Sequence, residues 1–184
     1  MTESMAAPPA PALHFPLLFS CTPLIRGESF LARVKTKGRL LEVVENDGIW
    51  MYGVNPGAVA GGGLNGTDAY QDFKKNFRRV LQALADSSAT FKDYKGKVEA
   101  FFGATSKPSE VQWIAAVAEV RAGRISLPGV KKVADARWSI DVIDVPLAGK
   151  KAGISSPEET GDLKLVETTP APNNSEKPRR TKAA

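Results

Sequence analysis

The chain has 184 residues, enough for one well-cored domain with tails, and its 24% of charged residues is ordinary for a globular protein. A net charge of +5 favours anionic surfaces only weakly, so charge alone identifies no partner. The single cysteine, Cys21, excludes an internal disulfide and a metal site built from cysteines, which fits a reducing, cytoplasmic location. The apolar stretch from Leu13 to Ile25 is interrupted by two prolines and is too short to span a membrane, and we expect no secretion signal.

The first third of the chain is predicted to form strands behind a disordered leader. Residues 1–12 are rich in alanine and proline, a composition typical of disorder. From His14 to Val54 apolar and polar residues alternate, which predicts three or four antiparallel strands. Asn46-Asp47-Gly48 favours a tight hairpin turn between Arg39–Glu45 and Ile49–Val54, because these residue types tolerate positive φ.

A further strand is expected ahead of this hairpin. Ser29–Lys37 alternates in the same way. Gly38 is expected to turn this strand into the next one. The three strands together predict an antiparallel meander.

A long amphipathic helix is the best-defined element of the sequence. It follows Asn55-Pro56-Gly57 and a segment over 58–66 that we expect to be flexible, and it begins at Thr67-Asp68. Apolar residues recur at three- and four-residue spacing along it: Tyr70, Phe73, Phe77, Val80, Leu81 and Leu84. This spacing predicts a stripe that packs on the sheet.

Two more helices and a late strand follow. Thr90 with Asp93 resembles a capping box for a helix that ends at Gly103, and a third helix covers Ser109–Ala122. Trp138–Val145 alternates strictly and is expected to return to the sheet before Pro146 ends it.

The predicted fold class is α+β: an antiparallel meander of three to four strands packed on one long helix, with two inserted helices and a late returning strand. The domain covers 13–148, with 85–127 as a helical insertion. Residues 149–184 are rich in Ser, Pro, Glu, Thr, Asn and Lys and are predicted to be a disordered basic tail.

The order of these elements resembles that of the HicB-like antitoxin family. The residues that carry the resemblance are Asp47-Gly48, Asn55-Pro56-Gly57, the glycine-rich bend and Thr67-Asp68-Ala69 before the long helix, and it covers 29–84 and 139–148. The resemblance implies a non-catalytic protein that neutralises a small ribonuclease toxin by occluding it, with a small basic protein as partner. No helix-turn-helix or ribbon-helix-helix pattern follows Leu147, so the resemblance does not carry operator binding.

The strand Ile49–Val54 is apolar on both sides, which points to a contact surface. Trp50 and Tyr52 face away from Ile49 and Met51. Exposed aromatic patches usually mark a partner or a dimer of the same chain. The predicted protein-binding residues are therefore Trp50, Tyr52, Asn55 and Gly62. The alternative is that the inserted helices over 90–122 cover this side, and the sequence does not separate the two.

A nucleic-acid-binding module is the alternative function. Its candidate residues are cations of the long helix and of the tail: Lys74, Lys75, Arg78, Arg79, Arg179 and Arg180. No aromatic residue interleaves with the helical cations to stack bases, which favours a solvated helix face. The glycines over 61–66 could cradle a phosphate, but the Walker spacing is absent and Asp68 places a negative charge there.

Catalysis has little support in the sequence. His14 is the only histidine, so no catalytic triad or histidine-based zinc site can be assembled. Asp141 and Asp144 lie three apart on a predicted strand and therefore face opposite sides. We expect no enzyme activity, no metal and no cofactor.

Overall fold

Eight strands and three helices form the described part of the chain. The computed structural model describes residues 13–45, 47–127, 130–133, 135–146 and 162–166. The elements in chain order are β1 (Leu13–Cys21), β2 (Leu24–Arg26), β3 (Leu31–Glu45), β4 (Gly48–Asn55), β5 (Ala60–Gly63), α1 (Gly66–Asp86), α2 (Phe91–Gly103), α3 (Lys107–Arg121), β6 (Lys131–Val133), β7 (Ser139–Asp144) and β8 (Asp162–Val166). The predicted leader lies outside the described residues.

The strands form one sheet in the order β5-β4-β3-β1-β8-β6, and β2 and β7 also pair with β3. All pairs are antiparallel except β6 with β8. The meander β3-β4-β5 packs against α1, which confirms the predicted α+β class.

The strand β3 is continuous over 15 residues, so the predicted turn at Gly38 is wrong. Gly38 lies opposite Phe19 of β1. A Cβ at Gly38 would lie 2.3 Å from Cε1 of Phe19 and 2.5 Å from the carbonyl oxygen of Asn55. The glycine is therefore needed for the close approach of an aromatic ring and a neighbouring strand, not for a change of direction.

The segment predicted to be flexible contains the strand β5, which pairs with β4. A Cβ at Gly61 would lie 2.2 Å from the backbone nitrogen of Phe73, and one at Gly63 would lie 2.5 Å from that of Ala69. The glycines thus let the backbone of α1 lie directly on β5. The cap of α1 is Asn65 and not Thr67, since the Asn65 side chain accepts a 3.0 Å hydrogen bond from the Asp68 amide.

Helices pack on both faces of the sheet. The helices α1 and α2 cover one face, and α3 covers part of the other. The predicted stripe of α1 is confirmed: Tyr70, Phe73, Phe77 and Leu81 are buried, and Val80 and Leu84 are half-buried against the same core. Thr90 caps α2 as predicted, whereas α3 is capped by Ser106 and begins two residues earlier than Ser109.

The late strand returns to the sheet as predicted and pairs with the first half of β3. The prediction of disorder over 149–184 is wrong for Asp162–Val166, which form β8 on the free side of β1. Leu165 pairs with Leu17 and is fully buried. The apolar residues of β8, which stand in an otherwise polar tail, thus cover the outer edge of β1.

Candidate functional site

Two aromatic side chains of β4 lie side by side on the face of the sheet that carries α3. Trp50 and Tyr52 are half-buried, and their rings stack with centroids 6.2 Å apart and planes inclined by 16°. They share this face with Val43 and Leu41, the residues opposite them on β3. Gly62 lies beside Trp50 on β5, and a Cβ there would come within 2.9 Å of the indole, so the glycine gives the ring room.

Acidic groups flank this aromatic pair. The Tyr52 hydroxyl donates a 3.4 Å hydrogen bond to Oε1 of Glu45. Burial raises the pKa of Tyr52, and the charge of Glu45, the hydrogen bond to it and the charge of Asp47 raise this pKa further. Two carboxylates, those of Glu45 and Asp47, therefore lie near the Tyr52 end of the aromatic pair.

The inserted helix α3 covers part of the same face, whereas α2 packs on the opposite one. Trp113 and Val117 pack in a second core with residues of three strands: Leu18, Leu41, Val43 and Val54. Tyr52 only borders this core. On its outer side α3 leaves Val111 68% and Ile114 43% exposed. The aromatic pair is therefore only partly buried, and Glu45 and Asp47 form its acidic border.

Asn55 does not belong to this surface, because it is fully buried. Its side-chain oxygen accepts hydrogen bonds from Nε of Arg39, at 2.7 Å, and from Nη2 of the same guanidinium. Its amide donates to the Thr105 hydroxyl at 2.7 Å. The prediction of Asn55 as a contact residue is therefore wrong, since its polar atoms are used inside the domain.

Arg39 was missed by sequence reasoning and is the centre of a buried polar cluster. It is 5% exposed, forms a 2.9 Å ion pair with Glu110 and lies 5.1 Å from the ring centre of Trp113. A cation at an inward position of an alternating strand is the signal that points to such a cluster. Because the cluster joins β3 and β4 to α3, its role is to position the helix that borders the aromatic pair.

Two backbone amides, one in the glycine-rich strand β5 and one in the first turn of α1, are not available to a phosphate. The Gly62 amide donates to Oδ2 of Asp72 at 3.2 Å, and the Asp68 amide donates to the cap Asn65. Both donors are thus occupied by side chains of the same chain. A carboxylate at the position of the anion also disfavours phosphate.

The predicted cations of the long helix do share one side of α1, opposite its apolar stripe. They line a shallow recess of about 420 Å³ together with Gln71 and Gln82: Lys74, Lys75, Arg78 and Arg79. The ammonium of Lys74 lies 5.1 Å from the ring centre of Tyr70, a cation–π distance. The two tail cations, Arg179 and Arg180, lie outside the described residues.

The described residues bring no group of three or more His, Cys, Asp or Glu side chains together in a metal-binding arrangement. Asp141 and Asp144 face opposite sides of β7, as predicted from their spacing. His14 lies on β1, opposite Val43.

Comparison of the chain with protein family models, with curated proteins and with solved structures found no match. Within the described residues, none of the helices combines the length and the apolar character that crossing a bilayer requires.

Proposed function

We propose that the chain is a non-catalytic binding protein that acts in the manner of an antitoxin, by occluding a small basic protein. The aromatic pair and its acidic border are the observation that carries this proposal. The kind of partner, a ribonuclease toxin, rests on the resemblance of the sequence to HicB-like antitoxins.

The chemistry of the surface favours a basic protein. Trp and Tyr are the side chains most often found at the energetic centres of protein interfaces, and these two are already held in place by stacking. Glu45 and Asp47 attract a positively charged partner and repel phosphates. A nucleic acid would therefore be disfavoured at this position.

The test is capture from an extract of the native cells with three immobilised proteins: the wild type, the double variant Trp50→Ala/Tyr52→Ala, and the control Lys75→Ala/Arg78→Ala on α1. We expect the wild type and the control to retain the same small basic protein in stoichiometric amount. The double variant should retain at least tenfold less, because loss of a hot-spot aromatic costs about 2 kcal/mol or more.

The captured protein must then cleave RNA, and the wild-type chain must suppress that cleavage. Absence of any stoichiometric partner, or equal retention by the double variant, would contradict the proposal. A captured protein without ribonuclease activity would contradict the toxin assignment alone.

The cationic side of α1 favours a second candidate function, the binding of nucleic acid. Four cations on one helical side provide the charge for phosphate contacts. Fluorescence anisotropy with a single-stranded RNA and a duplex DNA at low salt tests this candidate. An affinity that falls steeply with salt and is lost in Lys75→Ala/Arg78→Ala supports it, and absence of binding at low salt removes it.

A further inference from the structure

One edge of the sheet, the outer side of β7, pairs with no strand in the part of the chain that the structure describes. The hydrogen bond from the Val145 amide to the Leu31 carbonyl, 2.7 Å, sets the phase of the antiparallel ladder between β7 and β3. Hydrogen-bonded and non-hydrogen-bonded residues alternate along such a ladder. The amides and carbonyls of Ile140, Val142 and Asp144 therefore point away from β3.

The edge formed by β5 differs from that of β7, because side chains of α1 occupy it. The Gly62 amide donates to Asp72, and the Ala60 carbonyl accepts a 2.9 Å hydrogen bond from the Asn76 amide. These bonds use two of the groups with which another strand would pair. No described side chain forms such a bond with the outward groups of β7.

The sequence of β7 carries little of the usual protection of an edge strand. Between 139 and 145 the sequence contains no Lys or Pro, the residues most typical of protected edge strands, and its only charged residues are Asp141 and Asp144. The unpaired amides and carbonyls on the outer side of this six-residue strand are a template for strand addition.

We propose that a second copy of the chain covers this edge, with the two β7 strands antiparallel about a twofold axis at Val142. In this register Asp144 lies opposite the partner subunit's Ile140, and Asp141 lies opposite the partner subunit's Ile143. No acid faces an acid, whereas a twofold axis at Asp141 would place two carboxylates directly opposite each other, which is destabilising. Two copies of the edge can thus pair about a twofold axis without like charges directly opposite each other.

This dimer contact is separate from the surface of the proposed function. The strand β7 pairs with the first half of β3, and β4, which carries the aromatic pair, pairs with the second half. Variants of the two surfaces can therefore be read independently.

Sedimentation equilibrium of the full chain tests the proposal. The variant Asp144→Pro removes an outward amide while the hydrogen bonds between β7 and β3 stay intact, and Asp144→Asn is the matched control that removes only the charge. We expect twice 19.7 kDa for the wild type and for Asp144→Asn, and 19.7 kDa for Asp144→Pro at the same concentration. A wild-type monomer, whether its edge is open or covered by the chain's own segment, overturns the proposal, and so does a dimeric Asp144→Pro.

A crosslinking experiment keeps the proposal testable if Asp144→Pro fails to fold. Residues 141 and 143 would face each other across the dimer as a non-hydrogen-bonded pair, with Cα atoms about 4.5 Å apart, which suits a disulfide. Mild oxidation of a mixture of Asp141→Cys and Ile143→Cys should give a linked heterodimer well above the linked product of either variant alone. Equal yields from the mixture and from the single variants would overturn the proposed register.

Discussion

Replacement of Gly61 by alanine should destabilise the fold strongly, because α1 lies directly on β5 at this position. The new Cβ would lie 2.2 Å from the Phe73 nitrogen, 2.6 Å from its Cα and 2.8 Å from the Ala69 carbonyl oxygen. All three atoms belong to helix backbone, so the whole helix must move by about 1 Å to restore ordinary contact distances. Overpacking of this kind costs about 1–3 kcal/mol, and we expect about 3 kcal/mol here.

Gly96 supplies a matched control for the same substitution. It lies inside α2, and a Cβ there meets nothing within 4 Å. Because alanine is the better helix former, Gly96→Ala should stabilise the protein by up to about 1 kcal/mol.

Urea unfolding at equilibrium measures both changes. With a slope of about 1–3 kcal/mol per molar urea, Gly61→Ala should lower the midpoint by about 1–3 M, and Gly96→Ala should raise it slightly. A Gly61→Ala variant as stable as the wild type would refute the close packing of α1 on β5.

Three further predictions concern buried and titrating groups. Asn55→Ala removes the acceptor of the buried Arg39 guanidinium and should lower the free energy of unfolding by about 2–4 kcal/mol in urea unfolding, and an unchanged stability would contradict the cluster. Burial raises the pKa of Glu42 above 4.5, so the ionised carboxylate is disfavoured in the folded protein. Glu42→Gln should therefore raise the urea midpoint at pH 7. The difference between the two proteins should vanish below about pH 4.5, where Glu42 is protonated in both the folded and the unfolded state. Glu45→Gln should lower the pKa of Tyr52 towards 10. Alkaline absorbance titration, with Tyr52→Phe as the reference, measures this pKa, and an unchanged value would contradict the acidic border.

The elements that could be predicted from the sequence are those whose cause is local. The stripe of α1 follows from helical periodicity, and Thr90 caps α2 through its own side chain. The role of Gly38 was predicted wrongly because Phe19, on another strand, decides it. Glycine signals a turn and a close approach equally well, and only the tertiary structure separates the two.

In the candidate site, too, features with a local cause could be predicted, whereas features decided by distant residues could not. Alternation placed Trp50 and Tyr52 on one side of β4, and the structure agrees. The burial of Asn55 depends on Arg39 and Thr105, which lie 16 and 50 residues away in sequence, so no local pattern indicates it. The acidic border depends on the contact of Glu45, on β3, with the Tyr52 hydroxyl on β4. Alternation alone does not predict this contact.

Calorimetric titration of the captured basic protein into the wild-type chain and into Trp50→Ala/Tyr52→Ala tests the central claim most directly. We predict saturable binding by the wild type, weakening as salt is raised, and an affinity at least tenfold lower for the double variant. Equal affinities for the two proteins, with both correctly folded, would contradict the assignment of the aromatic pair as the binding surface.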